Sequence, residues 1–194
     1  MAPGLTARID QRTRALSHTA HTWGSTADER ELAFACDKHL ACHDIAVHRA
    51  IEVAGPAATV FRWLCQLRVA PYSYDWIDNL GRRSPRRLTP GLDELKLGQR
   101  FMWIFNLVEF EPDEHVTLAY RLAPAFGNYA VTYRVVSVET DRCRLVVKLL
   151  IAAPRRGPFR PVVRATAPYA DLFMMQKQLR TLKQLAEEVG LGRP

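Results

Sequence analysis

Cysteine is scarce and never paired along the chain. Cys36, Cys42, Cys65 and Cys143 are the four present, and none falls in a C-x-x-C unit. A chain of 194 residues does not need a disulfide framework, so reduced thiols are the expectation. Long apolar runs are missing too, and none approaches the roughly 18 residues of a membrane span. After Met-Ala-Pro-Gly the sequence turns polar, with Arg8, Asp10, Arg12 and Arg14, and offers no apolar secretory core. A cytoplasmic location is therefore expected. There is no Gly-x-Ser-x-Gly word for a nucleophile elbow and no glycine-rich phosphate loop. No aromatic-interleaved basic repeat argues for specific nucleic-acid reading.

Acidic residues are the minority, 20 against 27 Lys and Arg, for a net charge of +7. Part of the excess is clustered. Arg82, Arg83, Arg86, Arg87, Lys96 and Arg100 are opposed only by Asp93 and Glu94, and Arg155, Arg156, Arg160 and Arg164 form a second group. Plain solvated loops account for both, and contact with an anionic surface is the functional alternative.

What is present suits one domain. Apolar residues make up 48% of the chain, enough for a core. Residues 1–22 lack a sustained apolar period and read as a flexible extension, leaving 23–194 as the domain. Ala46–Val53 reads as a strand with Val47, Ile51 and Val53 on one face. Pro56 opens a short helix to Leu67, with Val60, Trp63, Leu64 and Leu67 as its stripe. Tyr72–Leu80 suggests a second short helix, and Gly81–Gly98 a loop broken by Pro85, Pro90 and Gly91. Strand signals follow at Gln99–Phe110 (one strand or two joined by a bend), His115–Leu122, Tyr129–Glu139 and Arg142–Ala153. Pro154–Pro161 reads as a connection. Pro168–Val189 is the longest helical pattern, with Leu172, Met175, Leu179, Leu182, Ala186 and Val189 along one stripe. The class is α+β, with a curved antiparallel sheet able to wrap the last helix and leave a ligand space between them.

The local words narrow this further. "WGSTADER" at Trp23–Arg30, "RAIEVAGPAATVFRWLCQL" at Arg49–Leu67, "YSYDWIDNL" at Tyr72–Leu80, "LKLGQ" at Leu95–Gln99 and "MMQKQLRTLKQLAEE" at Met174–Glu188 span most of the chain after residue 22. Together they resemble the SRPBCC (START-like, polyketide cyclase-like) superfamily. The resemblance implies a helix-grip fold with a central cavity. It does not separate binders, carriers and enzymes, because function lives in the site rather than the fold. Five clear strands are legible where the fold usually has six or seven, so either Gln99–Phe110 bends to supply two or an edge strand is missing.

The candidate ligand-binding residues are Trp63, Tyr72, Tyr74, Trp76, Trp103, Phe105, Tyr120, Tyr133 and Met175. Tyrosine and tryptophan offer an apolar body with one polar tip, and methionine an adaptable wall. Ordinary core packing explains each of them equally well. The expected ligand is small and hydrophobic or amphipathic, lipid-, isoprenoid- or polyketide-like, with no cofactor and no metal. An enzyme of the cyclase or dehydratase type is the alternative, with Tyr72 or Asp75 as acid–base group, although a capping or surface-paired role suits Asp75 or Asp78 better. "CDKHLACH", with Cys36, Asp37, His39, Cys42 and His43, holds zinc-type ligands, but at a spacing no usual structural site has. On the sheet, Tyr133, Val135, Leu145, Val147 and Leu149 are expected inward, toward Leu172, Met175 and Leu179. Thr132, Arg134, Arg144 and Lys148 are expected in water on the convex side, because a period of two permits no mixed answer. A carboxylate at position 147 should then unfold the domain, and one at position 148 should be tolerated.

Overall fold

Alternation of this kind asks for a sheet with two distinct faces. The computed structural model, which describes residues 16–121, 127–155 and 159–190, has one six-stranded antiparallel sheet. Its strands are β1 (Ile45–Val53), β2 (Arg100–Phe101), β3 (Phe105–Glu111), β4 (His115–Arg121), β5 (Asn128–Glu139) and β6 (Arg142–Ala152), in spatial order β1-β6-β5-β4-β3-β2. The helices are α1 (residues 16–22), α2 (Ala27–Glu31), α3 (Cys36–His39), α4 (Ala57–Cys65), α5 (Asp75–Asp78) and α6 (Phe159–Gly190). The sheet curves around α6, which is the helix-grip arrangement.

The sixth strand comes from the bend. Met102 and Trp103 take positive φ of 46° and 67°, turning the chain between β2 and β3. The last helix is longer than its sequence pattern suggests. It begins at Phe159 and runs for 32 residues, with Pro168 inside. Proline usually punctuates helices because it lacks an N–H and crowds the preceding turn. Pro161 falls in the first turn, where amide donors have no intrahelical partner in any case. The Pro168 carbonyl accepts a hydrogen bond from Arg49 Nη2 at 3.1 Å, so tertiary contacts support the helix where it is weakest. The buried stripe of α6 is Met175, Leu179, Leu182, Leu185 and Ala186, while Val189 is exposed.

Inward on the sheet, Tyr133, Val135, Leu145, Val147 and Leu149 are buried as expected, in one core with α4 and α6. Each fully buried aliphatic side chain there is worth roughly 1.5–3 kcal/mol. The convex side differs from expectation, because it is covered rather than wet. Phe34 and Cys36 pack on Ala50, Ala130, Val146 and Leu150 as a second apolar cluster. Thr132 is fully buried. Its Oγ1 accepts from the Cys36 amide at 2.9 Å and bonds Thr117 Oγ1 at 2.9 Å. The three cations expected in water on this face find partners in the N-terminal segment. Arg144 Nε lies 2.7 Å from Glu29, Lys148 Nζ 2.7 Å from Asp37, and Arg134 donates to the Ala33 carbonyl at 2.7 Å. The face carries paired charges under a cap, and alternation alone cannot tell that from charges in water.

The cap is sewn on by backbone. The Ala50 amide donates to the Trp23 carbonyl at 3.0 Å. Gly24 sits so close that a Cβ there would lie 2.0 Å from the Ala50 oxygen, and its φ is +74°. Only glycine fits. Residues 16–22, read from sequence as part of a flexible lead-in, form α1 with Ala20 fully buried. Residues 1–15 of that expected extension lie outside the described residues.

The covered convex face changes one expected outcome. Val147→Asp should still unfold the domain. Lys148→Asp should now cost about 1–2 kcal/mol, because it sets a carboxylate against Asp37 and loses a charge-assisted hydrogen bond. Denaturant titration measures this, and adding Asp37→Lys should recover part of the loss.

Candidate functional site

Three structural layers meet around one space. The concave sheet supplies Phe105 from β3, Val131 and Tyr133 from β5, and Leu149 from β6. The β2–β3 turn supplies Met102 and Ile104, the stretch from Pro71 to α5 supplies Ser73 and Asp78, and α6 supplies Asp171, Met174, Met175 and Gln178. They enclose a cavity of about 190 Å³. Ile104 is 48% exposed and marks where the cavity reaches the surface.

The polar groups in this mostly apolar wall are few and held in place. Tyr133 Oη donates to Gln178 Oε1 at 2.8 Å, and Gln178 Nε2 donates to the Pro71 carbonyl at 2.6 Å. Burial pushes the Tyr133 phenol well above its ordinary range, so it stays protonated. One oxygen of Asp78 accepts the Ser73 hydroxyl, and the other is buried without a hydrogen-bond partner among the described residues. Burial raises the Asp78 carboxyl, outweighing that hydrogen bond.

The strongest feature is a buried ion pair. Arg49 points inward from β1, 1% exposed, with Nη2 2.8 Å from Asp171 Oδ2. The same nitrogen donates to the carbonyls of Ala20 at 2.7 Å and Pro168 at 3.1 Å, and Nη1 donates to the His48 carbonyl at 2.9 Å. Burial pushes Asp171 from 3.8 up to about 6, with the Arg49 charge opposing the shift. Asp171 is thus a cavity carboxyl able to gain or lose a proton near neutral pH.

A family model described as polyketide cyclase/dehydrase and lipid transport matches residues 44–187. The chain belongs to this family. The matched segment holds every residue that lines the cavity, while α1, α2 and α3 precede it. No curated protein matches the chain. Among solved structures, a hypothetical protein from Helicobacter pylori is similar at 14% identity and TM-score 0.52, covering 80% of this chain and 95% of that one. The Zhui aromatase/cyclase from a Streptomyces species is similar at 13% identity and TM-score 0.50, covering 74% and 93%. A Thermobifida fusca protein is similar at 15% and 0.50, covering 74% and 94%. At such identities these likenesses speak for the fold alone.

Of the sequence candidates, Phe105, Tyr133 and Met175 line the cavity. Trp63 and Tyr72 are buried in the core instead, edge to face with ring centres 6.0 Å apart. Tyr120 packs between the rings of Phe105 and Tyr129 and is not among the lining residues. Tyr74 stacks on Phe173 at 4.4 Å, and Trp76 and Trp103 are exposed at the surface. The acid–base candidates do not reach the cavity. Asp75 accepts from the Ser84 amide at 2.9 Å and its hydroxyl at 2.5 Å, and Tyr72 is not among the lining residues. The carboxyls that do line it are Asp78 and Asp171. The zinc-type ligands disperse. Cys36 meets Thr132, Asp37 meets Lys148, and His39 meets Glu109 at 3.0 Å. Among the described residues no three such groups converge on a metal-sized position.

Sequence reading passed over Arg49 and Asp171. The available signal was a charge in register with Val47, Ile51 and Val53, and a carboxylate four residues before Met175 on the helical stripe.

The pair sets a pH dependence. A carboxyl whose folded pKa is raised favours the fold when protonated, so stability should fall as pH rises from about 4 to about 6, by about 3 kcal/mol at most. Asp171→Asn should flatten that part of the stability profile relative to the parent, measured by denaturant titration across pH. Arg49→Met should cost about 3–5 kcal/mol at pH 8, where it strands an ionised carboxylate.

Proposed function

We propose that the protein binds one small, mostly apolar molecule between its sheet and α6, with a polar substituent directed at Asp171 or at Ser73 and Asp78. The observation that carries this reading is the apolar cavity with a small number of fixed polar groups, the usual make-up of a small-molecule site. Its size limits what fits. A cavity of roughly 150 Å³ accommodates benzene, so about 190 Å³ holds one substituted ring or a short branched chain. A longer lipid-, isoprenoid- or polyketide-like ligand would place one end inside and extend past Ile104, or would need the Met102, Met174 and Met175 walls to yield. The family description names both lipid transport and cyclase/dehydrase chemistry. Carriage of an intact ligand is the reading favoured here.

One observation favours chemistry as a second reading. Asp171 titrates near 6, where a group can both donate and accept protons. In that case Asp171 replaces Tyr72 and Asp75 as the acid–base group, and a Tyr133 or Ser73 hydroxyl would leave Gln178 or Asp78 to donate to a substrate oxygen.

Val131→Phe tests the binding site. The ring should fill the cavity at a stability cost of about 1–3 kcal/mol. Affinity for a ligand found by native mass spectrometry or a thermal-shift panel should fall tenfold or more. Unchanged affinity in a folded Val131→Phe variant would place the ligand elsewhere. Turnover abolished by Asp171→Asn, with binding retained, would favour the second reading over carriage.

A further inference from the structure

Each element that lines the cavity mouth also carries a neighbouring apolar side chain into solvent. On α5, Asp78 faces the cavity while Trp76 is 74% exposed and Ile77 45%. On the β2–β3 turn, Met102 and Ile104 line the cavity while Trp103 is 47% exposed. On α6, Met174 lines it while Phe173 is 52% exposed. Just after α5, Leu80 is 82% exposed. Ile77, Trp103 and Phe173 each adjoin a cavity-lining residue in the chain, and Trp76 and Leu80 lie two residues from one. Scattered exposed apolar residues need no explanation, but several on the elements that line one cavity mark an interaction surface.

Two further observations say what kind of surface it meets. The first is backbone conformation. Leu80 and Trp103 hold positive φ of 53° and 67°, a left-handed conformation that bulky residues avoid. Buried Tyr72 and cavity-lining Met102 share this conformation, so it belongs to the tight turns around the cavity, and at Leu80 and Trp103 those turns carry a large apolar side chain outward. The second is charge. The Arg82 guanidinium lies 6.0 Å from the centre of the Trp103 ring, and Arg100 Nη1 donates to the Trp103 carbonyl at 3.2 Å. Arg83 follows, exposed. Two half-buried carboxylates lie nearby, Asp75 accepting from Ser84 and one oxygen of Asp78 from Ser73, against the three arginines. Tryptophan and leucine among arginines is the composition that settles at the headgroup level of an anionic bilayer. A two-fold dimer through the same face would instead set these arginines against their own copies. No helix among the described residues is long and apolar enough to cross a membrane, so contact would be shallow.

We propose that this face docks on an anionic lipid surface and sets the cavity mouth against the bilayer. The docking rests on the exposed apolar side chains and the arginines beside them, and it stands whether or not the cavity reading holds. If both hold, the bilayer is where the ligand enters or leaves.

The test uses the whole chain with vesicles of phosphatidylcholine, alone or mixed with phosphatidylglycerol. Flotation should show binding at least tenfold tighter to the anionic vesicles, weakening as salt rises. Lipids brominated near the acyl carbonyl should quench tryptophan emission, which reports insertion in the unaltered protein. Trp76→Ser with Trp103→Ser should lower partitioning tenfold or more at an unchanged melting temperature. Arg82→Gln and Arg100→Gln should each lower it about fivefold. Val131→Phe should bind vesicles as the parent does, which separates this proposal from the fate of the cavity ligand. The idea is overturned if anionic vesicles are not bound at low salt, or are bound without quenching. It is overturned equally if the tryptophan pair changes nothing, or if sedimentation shows that the face is buried in a dimer before vesicles are added.

Discussion

A guanidinium buried in an otherwise apolar sheet face ties this molecule together. Arg49 reaches α6 at Asp171 and Pro168, α1 at Ala20, and the edge of its own strand at His48. Removing such a charge from water costs several kcal/mol, and the carboxylate and three carbonyls held against Nη1 and Nη2 offset it, while Nε has no partner among the described residues. Those contacts fix the N-terminal half of α6 against β1. It also supports the helix at an internal proline, where its own hydrogen bonding is weakest. Because α6 is the element that the sheet grips, the position of its cavity-lining turn follows from this one contact.

The same pair gives the cavity its chemistry. A wall of Val131, Leu149, Met174 and Met175 alone would make a non-selective greasy space. Asp171, its pKa raised by burial against the opposing Arg49 charge and its carboxyl oriented by Arg49, adds a polar group that is held in place. Tyr133, Gln178 and the Pro71 carbonyl form a second chain of fixed dipoles, with Gln178 two turns along α6 from Asp171. A ligand entering this space meets donors and acceptors already in position, which reduces the ordering cost of binding.

The two faces of the sheet are used differently. The concave face mixes a packed core with a cavity, while the convex face is closed by α2 and α3 through buried Thr132, a small apolar cluster and three cation contacts. Stiffness on the outside and space on the inside belong together. A sheet must be held in its curve if the cavity beneath it is not to collapse onto α6, since protein interiors otherwise pack to crystal-like density.

The periodicities of two and 3.6 in the sequence by themselves determined which strand residues share a face, where α4 and α5 lie and that a long amphipathic helix ends the domain. These are local consequences of side-chain direction, so alternation placed Tyr133, Val147 and Leu149 correctly. What covers a face is not local. Lys148 and Arg144 look the same whether they meet water or the carboxylates of α2 and α3, and only the folded chain distinguishes the two. Pro161 and Pro168 read as the end of a connection and the start of a helix, yet tertiary support carries α6 through both. The aromatic inventory could not separate Phe105 and Tyr133 on the cavity wall from Trp63 and Tyr72 in the core or Trp76 on the surface, because size and polarity say nothing about which cavity, core or surface a ring enters. The Arg49–Asp171 pair was the least legible feature. Each charge alone looks like an error in an apolar pattern, and it becomes sensible only when two elements distant in sequence are packed within 2.8 Å of each other.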